Sequence, residues 1–233
     1  MTSPFYSGSR FPSDIIQRAI WLYLRFTLSY RDVEELLAER GVKVSYETIR
    51  RWVLTFGPVI AHQLRARRPK PHSRWHLDEM SVRMGGKQMY LWRAVEAEGE
   101  VLEVLVQAKR DKRAALKLIR KLPKKHGTAP TEWVTDKCPA YGAALRGLKI
   151  QRAVHTQAKR ANNRAESSHV PVRRREWKLQ GFKSPGSAQR FLSMHAAIYN
   201  AFTVPRHLTT ARTHRLLRAE AFATWREAAG VVA

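Results

Sequence analysis

The sequence has a single cysteine and no long apolar run. Cys138 alone cannot form an intramolecular disulfide, and it argues against a cysteine-based zinc site. No apolar stretch approaches the ~20 residues that a transmembrane helix needs, and no apolar segment of the secretory type follows the N-terminal charges. We therefore expect a cytoplasmic protein that neither crosses a membrane nor depends on disulfides.

Acidic residues are also scarce. The 233 residues include 43 Lys and Arg but only 19 Asp and Glu, which gives a formal net charge of +24. A hydrophobic content of 44% is sufficient for a buried core, so this is not the composition of a disordered chain. Solubility alone does not need so large an excess. The charge predicts a polyanionic partner, with nucleic acid ahead of an anionic membrane, because the basic residues do not follow one amphipathic helix.

The first sixty residues predict three helices. Ser13 is expected to be the N-cap of the first, which extends to about residue 26. Ser29 and Asp32 form a capping pair for the second. Ser45 is expected to cap the third, and Pro58 to end it.

A helix, a brief turn and a second helix follow the helix-turn-helix plan. The last of these helices would expose side chains that suit base edges and phosphates, namely Glu47, Thr48, Arg50, Arg51 and Thr55. The alternative is an ordinary three-helix bundle whose arginines are only solvated. Residues 61–73, which contain prolines and basic side chains, are predicted to be a linker.

The middle of the chain predicts a mixed α/β sheet. Strand-like segments occur at 75–83, 88–96, 101–107 and 132–136, and two consecutive glycines after the first segment indicate a hairpin. A basic helix is predicted over 111–122, ended by Pro123, and a further helix over 139–148. Three hairpin-linked strands followed by a helix and another strand are typical of a mixed sheet with flanking helices.

Two of the five aspartates need a special explanation. Asp14, Asp32 and Asp111 lie at predicted helix starts, where the helix dipole favours them. Asp78 and Asp136 instead lie in or after apolar strands, where a carboxylate is costly unless a positive group pairs with it. A salt bridge to a nearby arginine or a strand-end turn would explain them without a function.

A third acid, Glu166, lies in a strongly basic segment and gives these aspartates a chemical role. Three separated carboxylates can hold two Mg²⁺ or Mn²⁺ ions, and such a pair catalyses phosphoryl transfer. Glu79 is the main rival as a ligand, but neighbours in a strand point to opposite faces. His76 would share a face with Asp78, although a lone histidine is more often structural.

The C-terminal part predicts two helices, over 186–202 with Pro205 ending the first, and within 207–228. Their apolar faces are expected to pack in the core, with a dimer contact as the alternative. Trp177 follows three consecutive arginines, so stacking on a base and burial in the core are both open.

The motifs WHLDE, YLWRAV, VTDKCPAYGAAL and NNRAESSH, taken in order, resemble the DDE transposases of small bacterial insertion sequences, and in particular the insertion-sequence-six family. The resemblance extends from about Phe11 to Phe202. It implies an RNase H-like catalytic domain over 74–204, preceded by a helix-turn-helix domain over 1–60 and followed by a helical segment over 205–233.

The resemblance also implies a function. Family members bind the inverted repeats of their element, cleave to free 3′-hydroxyls and join these to target DNA with Mg²⁺. By motif, Asp78, Asp136 and Glu166 are the catalytic triad and the ligands of two Mg²⁺ ions, with Mn²⁺ as a substitute. The expected partners are double-stranded DNA and a second copy of the chain, in the bacterial nucleoid. The expected DNA contacts are Thr48, Arg50, Arg51, Lys137, Arg164, Arg173, Arg174 and Arg175.

The chain departs from the family pattern in two places. The family commonly spaces its second Asp and its Glu more widely than residues 137–165 do here. Pro171 follows Glu166 closely, and a proline inside a helix costs ~3 kcal/mol and kinks it, which would displace Arg173. A non-catalytic helix-turn-helix regulator, an inactive copy and a metal nuclease that cuts without joining are the alternatives.

Overall fold

The computed structural model describes residues 6–148, 153–158, 162–204 and 209–230. The elements in chain order are α1 (Ser13–Arg25), α2 (Tyr30–Ala38), α3 (Tyr46–Ala66), β1 (Arg74–Met84), β2 (Lys87–Glu96), β3 (Val101–Gln107), α4 (Lys112–His126), β4 (Glu132–Thr135), α5 (Pro139–Gly147), β5 (Val154–Gln157), α6 (Asn163–Lys178), α7 (Pro185–Phe202) and α8 (Ala211–Ala228). Among the described residues, no helix combines the length and the apolar composition that a membrane span requires.

The chain divides into two compact units. The helical unit comprises Met1–Arg68 and Met194–Ala233, and the sheet unit comprises Pro69–Ser193. The residues after Met194 thus belong with the N-terminal helices. The predicted linker over 61–73 begins inside α3, which continues to Ala66.

The helix starts of the helical unit follow the predicted caps in two of three cases. The Ser29 hydroxyl accepts from the amide of Asp32 at 3.1 Å, and the Asp32 carboxylate accepts from the Ser29 amide at 2.9 Å. The Ser45 hydroxyl accepts from the amide of Thr48. Ser13 is not an N-cap, because Pro12 occupies that position and Ser13 is already helical.

Pro58 does not end α3, contrary to the prediction from sequence. The helix continues for two further turns because Ile60, Ala61 and Leu64 are buried, and burial of apolar side chains offsets the backbone hydrogen bond that proline removes. A Cβ at Gly57 would lie 2.7 Å from the Met194 sulfur, so a larger residue there would require the Met194 side chain to shift.

The described residues of the sheet unit form five strands in the order β3-β2-β1-β4-β5. The first three are antiparallel neighbours, as predicted, and β1 pairs in parallel with β4. Gly85 and Gly86 both have positive φ and form the predicted hairpin turn. The sequence did not predict β5, whose four residues are all partly exposed and lack an apolar pattern.

The helices of the sheet unit lie on both faces of the sheet. Trp75 and Leu77 of β1 are buried against α4 and α5 in one apolar cluster. The alternate residues of β1 point to the other face, towards α6. A hydrogen bond joins α6 to β1, because the Asn162 side chain donates to the Leu77 carbonyl oxygen at 2.9 Å. Asn162 therefore occupies the N-cap position of α6 without capping it through its side chain.

Two prolines predicted to end or distort helices lie inside them. Pro123 is within α4, which continues to His126 and is followed by Gly127 in a left-handed conformation. Pro171 is within α6, which continues to Lys178. The end of α7 was predicted at Pro205, which lies outside the described residues.

The Glu103 carboxylate provides a test of how α4 is held on the sheet. It is buried on β3 and lies 3.0 Å from the Lys125 ammonium and 3.2 Å from that of Lys121. Burial raises the pKa of this carboxyl, but the two ammonium groups outweigh the effect and the pKa lies below its ordinary value of 4.5.

Because the folded pKa is lowered, the ionised carboxylate contributes stability above pH 4.5 that is lost as the pH falls through the folded pKa. We expect Glu103→Gln to lower the free energy of unfolding at pH 7 by about 1–3 kcal/mol. The difference in free energy of unfolding between this variant and wild type, measured in denaturant titrations, should become smaller below pH 4.5. Glu98→Gln, at an exposed turn, is the matched control, and a loss that does not depend on pH would contradict the assignment.

Candidate active site

Asp78 lies in the middle of β1, with only 8% of its surface exposed. One carboxylate oxygen accepts from the amide of Glu79 at 2.9 Å, and the other lies 3.1 Å from Nε2 of His169 on α6. Asp78 therefore faces α6. The histidine at this carboxylate is His169, which the sequence did not single out, although its helical spacing from Glu166 was a signal available there. His76, expected to share the face of Asp78 and more often structural, is buried in β1.

Glu79 points to the opposite face of β1, as strand alternation requires. Its carboxylate is 1% exposed and pairs with the Arg110 guanidinium, which precedes α4. Burial raises the pKa of Glu79, and the neighbouring Tyr141 hydroxyl and Arg110 offset only part of the effect. Arg110 also lies 3.7 Å from the Asp136 carboxylate. One guanidinium thus serves two acids.

Asp136 follows directly after β4, beside Asp78 in the parallel pair. Leu77 and Thr135 are register partners, so the two aspartates occupy the next position on adjacent strands, which lie about 4.8 Å apart. The Asp136 carboxylate accepts from the amide of Cys138 at 2.9 Å and lies on the side of Glu79. The backbone brings the two aspartates together, while their carboxylates have separate partners.

Glu166 is exposed in the first turn of α6. It precedes His169 by three residues, and residues at this spacing share a helix face. Because His169 contacts Asp78, the face of α6 that carries Glu166 is turned towards β1. Arg173, one turn further, donates to the Ser81 carbonyl oxygen at 2.8 Å, so α6 follows β1 beyond Pro171.

The three predicted ligands do not form one cluster of adjacent oxygen atoms. Within the described part of the chain, the only group of three ligand-type side chains whose atoms all lie within 4.8 Å is Glu79, Asp136 and Cys138. Burial raises the pKa of the Cys138 thiol, and a protonated thiol is a poor ligand for Mg²⁺. With Arg110 against both carboxylates, this group is an ion-pair cluster rather than a magnesium site.

The predicted DNA contacts differ in exposure. Most are accessible in their own unit, namely Thr48, Arg50, Arg51, Lys137, Arg164, Arg173 and Arg174, with Thr48 half-buried. Arg50 pairs with Glu47 at 2.6 Å. Arg175 is 1% exposed and its guanidinium lies over the Phe191 ring, so it is not available to DNA. Trp177 is 84% exposed, which excludes the core position considered from the sequence.

Comparison with known proteins identifies the family. A DDE domain of the IS240 transposase type matches residues 72–204. A transposase for the insertion sequence-like element IS431mec of Staphylococcus aureus strain Mu50 is 31% identical over 199 residues, covering 84% of this chain and 88% of the relative. The chain belongs to the DDE transposase family. A Staphylococcus aureus transposase of element IS257 in transposon Tn4003 is 30% identical over the same share.

Solved structures similar to this transposase include the catalytic core domain of BIV integrase, with TM-score 0.46, 18% identity and coverage of 65% of this chain and 97% of that one. The HTLV-2 integrase catalytic core domain in complex with magnesium has TM-score 0.44 and 14% identity, covering 60% and 90%. The mixed sheet with helices on both faces and the family assignment confirm the predicted RNase H-like fold.

The Arg110 to Glu79 pair predicts an asymmetric effect of substitution in this transposase. Arg110→Gln leaves a buried carboxylate without its guanidinium and should lower the free energy of unfolding by about 1–3 kcal/mol, less than for a fully buried pair because Arg110 is half-exposed. Adding Glu79→Gln removes the unpaired charge, so the double variant should be more stable than Arg110→Gln alone. Denaturant unfolding of the four proteins in a double-mutant cycle measures this, and additive effects would refute the coupling.

Proposed function

We propose that this transposase binds the ends of its insertion sequence, cleaves them to free 3′-hydroxyls, and joins these to target DNA at a site formed by Asp78, Asp136 and Glu166. The observation that supports it best is the position of the two aspartates directly after a register pair of parallel strands. α6 is held against the same strand on the face of Asp78 and carries Glu166. The family assignment supports the same chemistry.

The three carboxylates are proposed to hold Mg²⁺, or Mn²⁺, as two ions. Their donor set fits these hard cations because it consists of oxygen atoms alone. The metal would supply activation of the attacking hydroxyl and stabilisation of the leaving oxygen. The Arg110 guanidinium beside Asp136 offsets part of the acidic charge, and the His169 imidazole lies within hydrogen-bond distance of Asp78.

The remaining residues of the site are proposed to orient the ligands and the DNA. His169 and the Glu79 amide fix the Asp78 carboxylate through its two oxygens. Asn162 fixes the start of α6, and with it Glu166, relative to β1. These contacts provide the preorganisation that catalysis by metal and carboxylates requires.

DNA contacts are proposed for exposed basic residues in both units. In the sheet unit these are Lys137, Arg164, Arg173 and Arg174, which neighbour the carboxylates in sequence or lie on α6. In the helical unit, Thr48, Arg50 and Arg51 lie on the exposed side of α3, the second helix of the helix-turn-helix. Two element ends require two active sites, so we expect at least a homodimer on DNA.

The triad predicts that each carboxylate is individually needed. Asp78→Ala, Asp136→Ala and Glu166→Ala should each reduce Mg²⁺-dependent cleavage of the element's own ends by roughly 100-fold or more, because each removes a proposed ligand. Binding of the same DNA should remain. A gel assay of nicked and joined products measures both steps, with Glu98→Gln as the control for loss of one acidic residue.

Cleavage that persists at the normal rate in any one of these variants would refute the assignment of that residue. Binding without cleavage by the unaltered protein, in Mg²⁺ and in Mn²⁺, would instead favour a regulator or an inactive copy. Cleavage without joined products would favour a nuclease.

Trp177 provides a separate prediction on α6. It lies eleven residues after Glu166 and four after Arg173, a spacing that places all three close to one line along the helix. Trp177→Ala should weaken binding to an element end with unpaired terminal bases by about 1–3 kcal/mol, since stacking on an aromatic ring contributes this much per base. Trp177→Phe should retain most of it. Anisotropy titrations measure the effect, and equal losses in both variants would contradict stacking.

A further inference from the structure

The outer face of α4 is a strongly positive surface outside the proposed site. The helix contains seven Lys and Arg residues and no Asp or Glu. Ala115, Leu118 and Leu122 bury its inner face against the sheet. Its outer face carries a cationic stripe, which we define as Arg113, Lys117, Arg120 and Lys124.

The stripe is not neutralised within the described part of the chain. Asp111 caps the N-terminus of this helix by accepting from the Ala114 amide, and Glu103 pairs with Lys121 and Lys125. No carboxylate lies within salt-bridge distance of the four stripe residues in the part of the chain that the structure describes. Four like charges on neighbouring turns repel one another, and binding of an anionic partner would relieve this repulsion.

The stripe leads away from the proposed site. Arg110, which contacts Glu79 and Asp136, precedes α4 by two residues, and exposed Lys109 lies beside it. From Arg113 to Lys124 the helix advances by ~16 Å, the length of roughly five base pairs of duplex. The stripe lies on the face of the sheet opposite to α6. A duplex held along α6 therefore leaves the stripe for a second one.

We propose that the stripe on α4 binds the phosphate backbone of the target DNA. This inference rests on the proposed function, since a strand-transfer reaction needs a second duplex near the carboxylates. Apart from the partly buried Leu116, this surface is lined by lysine and arginine side chains. Such side chains bind phosphate oxygens without reading the bases. The stripe therefore holds target DNA of any sequence and directs it towards the Arg110 end of the helix.

The test replaces all four stripe residues with glutamine in the full-length protein. The matched control replaces four exposed cations at other positions of the sheet unit, Lys70, Arg83, Lys87 and Lys183. Both variants lose the same net charge, and neither loses a buried partner. Binding to a duplex of roughly 30 base pairs, unrelated to the element ends, is followed by anisotropy without metal over a range of salt concentrations.

The slope of log affinity against log salt should become shallower by about 3–4 in the stripe variant, because each phosphate contact contributes about 0.9. The control should change by less than about 1. With short element ends in Mg²⁺, the stripe variant should cleave within about twofold of the unaltered protein, whereas joining to target DNA at about 0.15 M salt should fall at least about tenfold.

Equal slopes in the stripe variant and the control would overturn the inference. The inference would also be overturned if the stripe variant lost cleavage of the element ends as strongly as joining to target DNA. The stripe would then hold the element end rather than the target. Failure of the unaltered protein to cleave would count against the proposed function alone, since the salt dependence measures the stripe without any catalysis.

Discussion

The arrangement of the sheet unit depends on providing hydrogen-bonding or ionic partners for two adjacent carboxylates in one buried strand. Asp78 and Glu79 point to opposite faces of β1, so no single side chain can pair with both. α6 brings His169 to Asp78 on one face, and the segment before α4 brings Arg110 to Glu79 on the other. The same contacts fix the helices that carry Glu166 and the cationic stripe.

Arg110 links structure and proposed chemistry because it also reaches Asp136. A guanidinium between a buried structural carboxylate and a proposed catalytic one stabilises both when no other cation is near. It also explains why the second aspartate, although beside the first in the backbone, has its carboxylate on the side of Glu79. The proposed metal site therefore competes with an ion pair that the protein itself provides.

Exposed positive charge in this transposase occurs on three separate helices. α3 exposes Arg50 and Arg51, α6 exposes Arg173 and Arg174, and α4 carries the stripe. A reaction that joins two DNA molecules needs separate surfaces for them. The burial of Arg175 under Phe191 illustrates that only part of the basic excess is available to DNA.

The sequence by itself determined the helix caps at Ser29 and Ser45, the antiparallel strands, the fold class and the family, because local hydrogen bonds and apolar periodicity act over a few residues and the motifs are continuous. It wrongly ended α3 at Pro58 and α4 at Pro123, because burial elsewhere in the fold offsets the loss of one backbone hydrogen bond. Only the tertiary structure decided that His169 and Arg110 are the partners of the acids, since these pairs span 91 and 31 residues and depend on which helix covers which face of the sheet.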